Sequence, residues 1–129
     1  MPIGDPAQEV SNHVDEVLQL LDDKDTKSLS AYLEELHPVE VVSIINSIDA
    51  ENQLFLFKHI TGLDQLAEVI ILSNEGLRHK ALSLLDDPRI AAVIRRLEVD
   101  DAVDLIALLP RRRQVRVLKR LSAESVKEI

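Results

Sequence analysis

The 129-residue sequence contains no cysteine and no tryptophan, and aromatic residues make up only 2% of it. Without cysteine the chain can form neither a disulfide scaffold nor a thiolate metal site, which fits a reducing compartment. Hydrophobic residues make up 46% of the sequence, enough for the core of one ordinary domain. A core built almost entirely from aliphatic side chains is typical of packed helices.

Glycine is also scarce, because the sequence has only three glycines and they stand far apart. Isolated glycines cannot build a loop that cradles phosphate, and no Gly-x-Ser-x-Gly nucleophile motif occurs. There is no catalytic thiol either. We therefore do not expect this chain to be an enzyme.

Long apolar runs are absent, and stretches such as 69–72 are far too short to span a bilayer. The N-terminus lacks the basic start and apolar segment of a signal peptide. We expect a soluble chain in the cytoplasm that does not insert into a membrane.

The charge is acidic overall and unevenly distributed. The formal net charge is −8, which argues against general nucleic-acid binding because phosphates require a basic contact surface. Residues 1–60 carry twelve acids and three bases, whereas residues 110–129 carry seven bases and two acids. The molecule therefore has an electrostatic long axis.

A large aliphatic residue followed by a turn or capping residue recurs every twelve or thirteen residues. These anchors are Leu36, Ile48, Ile60, Leu72, Leu85, Leu97, Leu109 and Leu121. The apolar residues between anchors follow helical spacing, so each unit predicts one helix of about ten residues and a short turn. The fold predicted is an all-α, right-handed α-solenoid in twelve-residue half-repeats.

Residues 1–25 are predicted to form an N-terminal helix, over about 7–21, and a polar turn before the superhelix of 26–129. The next helix is predicted over 27–36. Predicted N-terminal caps are Asp49, Thr61, Ser73, Asp87 and Ser122, and predicted first helical positions are Pro38, Pro88 and Pro110. A unit opened by Ser122 would be cut short at Ile129, so we expect a domain excised from a longer chain.

Acidic side chains cluster at Asp100, Asp101 and Asp104. Asp100 and Asp104 are four residues apart on one helical face, which we expect to lie opposite the apolar Val103, Leu105 and Ile106. Like charges at this spacing repel, and a divalent cation could remove that cost. Taken alone, the residues favour the simpler explanation, that the acids are solvated and interact favourably with the helix dipole. Two or three carboxylates give only a weak site, so tight binding would require acids from a second surface.

The four histidines and a cluster of basic residues near the C-terminus can also be explained without a metal or nucleic-acid site. The four histidines lie in different units without metal-ligand spacing, and we expect surface or capping roles for His13, His37, His59 and His79. A basic cluster consists of Arg111, Arg112, Arg113, Arg116, Lys119 and Arg120. It could bind nucleic acid, an anionic membrane or an acidic protein, and the lack of interleaved aromatic residues favours a solvated or protein-docking surface.

Three segments in order resemble the N-terminal cytosolic domain of MgtE-family magnesium transporters. They are YLEELHP at 32–38, LAEV at 66–69, and DDAVDLI at 100–106 followed by Leu109-Pro110. The resemblance spans about 26–125 and includes the shared repeat length.

The resemblance implies a function that the periodicity does not. In this family the superhelix precedes tandem CBS domains and a membrane channel, and the cytosolic part closes when Mg²⁺ bridges acidic surfaces. The implied metal-site residues are Glu68, Asp100, Asp101 and Asp104, with Mg²⁺ bound weakly at an interface. The implied partners are the CBS and channel domains of a homodimeric full-length protein, with this domain on the cytoplasmic side of the membrane.

The sequence departs from the complete family pattern because it contains no CBS sequence and no transmembrane segment. It therefore cannot conduct ions by itself. The alternative is a metal-independent docking module similar to the FliG middle domain, although Glu35–Val39 only partly matches that family's docking signature. A scaffold associated with CBS domains is a further alternative.

Overall fold

A computed structural model describes residues 6–127, and the side chains of residues 12–123. The described residues form nine helices and no strand. The helices are α1 (Pro6–Asp22), α2 (Thr26–Glu34), α3 (Pro38–Asn46), α4 (Ala50–Lys58), α5 (Leu63–Leu72), α6 (Glu75–Leu84), α7 (Asp87–Ile94), α8 (Val99–Ala107) and α9 (Arg111–Lys127). The all-α prediction is confirmed. Within this part of the chain, no helix is both long and apolar enough to cross a membrane.

The helices form two layers because each odd-numbered helix packs on the next odd-numbered one. The contacts run from α1 to α3, α5, α7 and α9 in turn, while α4 and α6 pack together in the second layer. Buried aliphatic side chains join these helices in one core, which extends from Val17 in α1 to Val117 in α9. The structural unit is therefore a pair of half-repeats, and α5, α7 and α9 begin at residues 63, 87 and 111.

The predicted caps are right at Asp49 and displaced by one residue at three other helices. Asp49 accepts a hydrogen bond from the backbone N–H of Asn52. The other N-terminal caps are Gly62, Asn74 and Asp86, where Thr61, Ser73 and Asp87 were predicted. The Ser73 hydroxyl donates to the Val69 carbonyl at 2.6 Å, so it stabilises the end of α5 and leaves the start of α6 to Asn74.

The predicted new unit at Ser122 is wrong because α9 continues through this residue to Lys127. Pro38 occupies the first position of α3 as predicted, but Pro88 is the second residue of α7. Pro110 precedes α9, and its carbonyl accepts the first helical hydrogen bond from Gln114.

The predicted boundaries at the N-terminal end differ by one or two residues. Helix α1 extends one residue beyond each predicted end, and α2 occupies Thr26–Glu34 where 27–36 was predicted. The division of the chain at residue 25 stays a prediction, as does the handedness of the superhelix.

Polar side chains connect successive units at a fixed register. Gln65 donates to the Leu33 and Leu36 carbonyls, at 2.7 and 2.9 Å. Arg89, twenty-four residues later, donates to the Ile60 carbonyl at 3.0 Å. Arg113, after the same interval, donates to the carbonyls of Leu82 and Leu85 at 2.9 and 2.6 Å. Helices α5, α7 and α9 thus each donate side-chain hydrogen bonds to carbonyls at the end of an earlier even helix.

Candidate functional site: the acidic face of helix α8

Helix α8 carries the acidic cluster, with Asp100 and Asp101 in its first turn and Asp104 in its second. Acidic residues near a helix N-terminus interact favourably with the helix dipole, which helps a nine-residue helix to form here. Asp100 and Asp104 are both exposed, as predicted, whereas Asp101 is half-buried. The structure therefore places two of the three carboxylates side by side on the solvent side of α8 and the third on a different side.

The prediction that Val103 belongs to the buried stripe is wrong. Val103 is 59% exposed and Val99 is 80% exposed, while Leu105 is fully buried. Val99 and Val103 are one helical turn apart and alternate along the helix with Asp100 and Asp104. We call these four residues the α8 face; it combines a carboxylate pair with two exposed valines.

Helix α8 lacks a side-chain contact that α4 and α6 make with the preceding helix. In α4, Gln53 donates to the Ile45 carbonyl at the end of α3. In α6, Arg78 donates to the Ile70 and Ile71 carbonyls at the end of α5. The fourth residue of α8, at the same register, is Ala102, which has no donor. Helix α8 therefore has no corresponding side-chain link to α7.

The start of α8 lacks a side-chain cap as well, because Glu98 makes no capping hydrogen bond. A cleft of about 500 Å³ follows the C-terminal end of α8 and is lined by His79, Leu82, Ser83, Leu108, Leu109, Pro110 and Arg113. The α8 face therefore lies on a helix that has neither a side-chain cap nor a side-chain link of this kind to α7.

Glu68, the fourth predicted metal-site residue, lies in α5 and is exposed. Among the side chains of residues 12–123, no three His, Asp or Glu groups come together in an arrangement that could hold a metal ion. The predicted Mg²⁺ site stays a prediction, and it requires ligands from a second surface.

The basic cluster divides into internal and external residues. Arg113 and Arg116 both donate to Asp87, with nitrogen–oxygen distances of 3.0 and 2.6 Å. The hydrogen bond from Arg116 lowers the pKa of Asp87 and Arg113 adds to this effect, although partial burial opposes it. Arg113 therefore connects α9 to α6 and α7. Arg111 and Arg112 remain exposed and form no hydrogen bond or ion pair with the residues described.

Three of the four histidines form hydrogen bonds within the fold, and His13 does so in a way that was not predicted; His79 is exposed, as predicted. His37 caps α3, and the Nδ1–H of His59 donates to the Phe55 carbonyl at 2.8 Å at the end of α4. His13 is half-buried and hydrogen-bonds Tyr32 at 2.6 Å and Glu40 at 3.1 Å, so it joins α1 to α2 and α3. Burial raises the pKa of Tyr32, with contributions from nearby carboxylates.

Sequence reasoning missed Val99 and the exposure of Val103. The spacing of α8 alone cannot show this, because Val103 and Leu105 both fit an apolar pattern. The signal lies in comparison between units: Gln53 and Arg78 have long polar side chains where α8 has Ala102. Alanine at a position where α4 and α6 have a long polar side chain indicates that α8 forms no side-chain hydrogen bond with the helix before it.

The comparisons with known proteins agree with this fold. The family model of the MgtE intracellular N domain matches residues 36–129. A solved structure, the crystal structure of the cytosolic domain of the Mg²⁺ channel MgtE in complex with ATP, matches with a TM-score of 0.60 and 19% sequence identity. The match covers 84% of this chain and 50% of that one. No curated protein matches the sequence. Since the family model covers most of the sequence, the chain belongs to the MgtE intracellular N domain family.

Proposed function

We propose that this chain is a Mg²⁺-sensing regulatory domain of a magnesium transporter, and that its α8 face docks onto CBS domains of the same protein. The observation that carries the proposal is the exposed pair Asp100 and Asp104 on a helix face that no other described element covers. Membership of a transporter domain family gives the context. The role is regulatory and involves no covalent chemistry.

The carboxylates control docking through their mutual repulsion. Asp100 and Asp104 lie on adjacent turns, and an acidic partner surface would add further negative charge. A bound Mg²⁺ supplies the positive charge that offsets this repulsion. Because a cation between two acidic surfaces binds the docked state better than the separated one, its concentration sets the docked fraction.

The chemistry of the α8 face suits a weak Mg²⁺ site. Carboxylate oxygens are ligands of the kind that Mg²⁺ prefers, and this ion usually keeps several water molecules. Asp100 and Asp104 would provide the first ligands, with the remainder from water and the partner. Asp101 and Glu68 lie outside the exposed pair and would act at the edge of the docked surface or contact the partner separately.

The test is a titration of the 129-residue chain with the tandem CBS fragment of an MgtE-family transporter, by calorimetry, in millimolar Mg²⁺ and in EDTA. We expect Mg²⁺ to tighten binding by about tenfold or more, the range of ordinary coupling between two sites. Asp100→Asn with Asp104→Asn removes the Mg²⁺ effect, whereas the control, Glu51→Gln with Glu75→Gln, removes two exposed acids elsewhere and leaves it intact. Equal affinity in EDTA and Mg²⁺ contradicts the proposal.

A second function is favoured by one specific observation, the 80% exposure of Val99 and 59% exposure of Val103. Exposed apolar side chains side by side are typical of a protein-docking surface. In the metal-independent docking module, or in a scaffold associated with CBS domains, these valines rather than the carboxylates would provide the affinity. This alternative is supported if binding persists in EDTA, if Val99→Ser and Val103→Ser weaken it, and if Asp100→Asn leaves it unchanged.

A further inference from the structure

The outer face of α9 exposes residues that are buried at the same register in α7 and α5. Val115 and Leu118 are 45% and 48% exposed. Twenty-four residues earlier, Ala91 and Ile94 of α7 are buried, at 0% and 5% exposure. The positions twenty-four residues before those, Ala67 and Ile70 in α5, are buried as well.

The reason is that α9 ends the odd-numbered layer among the described residues. Helix α9 packs on α7, and no further odd helix of this part of the chain lies beyond it. Val115 and Leu118 therefore form the stripe on which a next helix would pack. In stacked repeats an end of this kind exposes a surface that interior units bury.

The basic residues beside this stripe favour packing of an acidic helix on it. Arg111, Arg112 and Lys119 lie beside the stripe, are exposed and form no side-chain hydrogen bond or ion pair within the described residues. Arg116 shares their surface and pairs with Asp87. An incoming helix would meet several cations, so an acidic helix is favoured and a basic one disfavoured.

The opposite end of the odd-numbered layer has the complementary composition. Helix α1 packs on α3 and begins this layer. Asp15, Glu16 and Asp22 are exposed on α1, and Leu18 is 39% exposed beside them. There is no basic residue between positions 12 and 23 except the half-buried His13, which Tyr32 and Glu40 hold in hydrogen bonds.

We propose that the α9 stripe of one copy packs against α1 of a second copy, so that the odd-numbered layers of two molecules join end to end. The contact is heterologous, since it uses different surfaces of the two copies, and it leaves one basic end and one acidic end unused. A contact between two α9 helices would bring basic surfaces together and is disfavoured. The proposal is independent of the α8 face and of Mg²⁺.

Sedimentation velocity of the 129-residue chain tests this contact. In low salt we expect the average mass to rise with protein concentration, and to return to that of the monomer at about 0.5 M salt, where the screening length is only a few ångströms. Leu118→Gln weakens association by about tenfold, because it removes the apolar part of the contact. Leu72→Gln is the matched control, since Leu72 has the same 48% exposure on another helix, and it leaves association unchanged.

Charge reversal identifies the two surfaces. Variant one carries Arg112→Glu and Lys119→Glu in α9, and variant two carries Asp15→Lys and Asp22→Lys in α1. Each variant alone should remain monomeric, whereas a mixture of the two should associate because each supplies the end that the other lacks. Circular dichroism confirms that both are folded. The proposal is overturned if wild-type protein stays monomeric at all concentrations in low salt. It is also overturned if variant two associates by itself as strongly as wild type does.

Discussion

Arg113 makes contacts with two other helices that its position in a run of arginines does not indicate. It lies in a run of three arginines, yet its side chain is only 19% exposed, and it contacts the end of α6 and the first residue of α7. Its neighbour Arg112 is exposed. Residues of one type in one short run therefore have different roles, because the helix turns each of them toward different surroundings.

Replacing Arg113 by methionine should lower the free energy of unfolding by about 2–4 kcal/mol, because it leaves two carbonyls without their donor and Asp87 with only one arginine. Urea unfolding followed by circular dichroism measures the change. Arg112→Met, the control, should stay within about 0.5 kcal/mol of wild type. Equal losses in the two variants would show that general charge, and not the contacts of Arg113, stabilises this end.

The carboxylate of Asp87 should make stability depend on pH. Because Arg116 and Arg113 hold its pKa below the ordinary value of about 3.9, the folded state favours the ionised form. This contribution is complete above the unfolded-state pKa and is lost as the pH falls through the lower folded-state value.

The corresponding variant is Asp87→Asn. It should be less stable than wild type at pH 7, and the difference should shrink as the pH falls below about 4. Unfolding curves in urea between neutral and acidic pH measure this. Asp15→Asn, at an exposed position without an ion pair, is the control and should show little difference throughout. A constant gap for Asp87→Asn across the whole range would contradict the argument.

Single helices in this chain are stabilised mostly at their ends. Asp25, Asp49, Asn74 and Asp86 accept backbone hydrogen bonds in the first turns of four helices. Helices of eight to ten residues are marginal in isolation, so these caps and the packing between units supply what propensity does not. Helices α5 and α8 have no side-chain capping hydrogen bond, and α8, which also lacks the link that α4 and α6 make to the preceding helix, carries the candidate site.

The turn between α1 and α2 contains a strained position. Lys24 has φ of 57°, in the left-handed region that favours glycine. Lys24→Gly should therefore raise the free energy of unfolding by about 0.5–1 kcal/mol. Thermal or urea unfolding measures the gain. Lys119→Gly, within α9, is the control and should lower it by about 1 kcal/mol, since glycine disfavours a helix interior. A loss in both variants would indicate that Lys24 makes a contact that outweighs its strain.

The sequence predicts the number and length of the helices better than it predicts their caps and which of their residues are buried. Helix number and length follow from the twelve-residue spacing, because apolar periodicity and cap residues are local properties. The residue that caps α6 cannot be predicted in this way, because Ser73 and Asn74 are both good capping residues. Only the structure shows that Ser73 bonds back to α5 and that Asn74 caps α6. Exposure of Val103 depends on which helices lie beside α8, and periodicity within α8 contains no such information.

At the scale of the molecule, stability is distributed along the stack. Each described helix of the odd-numbered layer makes its main contacts within that layer with its nearest neighbours, so we expect that the ends can be lost without disrupting the centre. The acidic and basic ends lie at opposite extremes of this stack. The repeat and the charge asymmetry were both predictable from the sequence, whereas the α8 face and the link through Arg113 required three-dimensional comparison between units.

Deletion of residues 1–25 should destabilise the chain without unfolding it. The deletion removes Val17 and uncovers Leu29, Leu33 and Val41, all at most 1% exposed, at a cost of about 2–4 kcal/mol. Hydrogen exchange should show that the amides of α5 to α9 remain protected. Complete loss of protection would show that α1 belongs to one indivisible cooperative unit, and would contradict the predicted division at residue 25.

The interval between Gln65, Arg89 and Arg113 restricts how a chain of this kind can change length. Each of these residues lies on an odd helix and donates to the end of an even helix in an earlier unit. An insertion of one helix would exchange the two layers for everything that follows, and every later donor would face the wrong carbonyls. Growth or loss of the array should therefore occur in whole pairs of helices, so that related domains differ by steps of two helices rather than one.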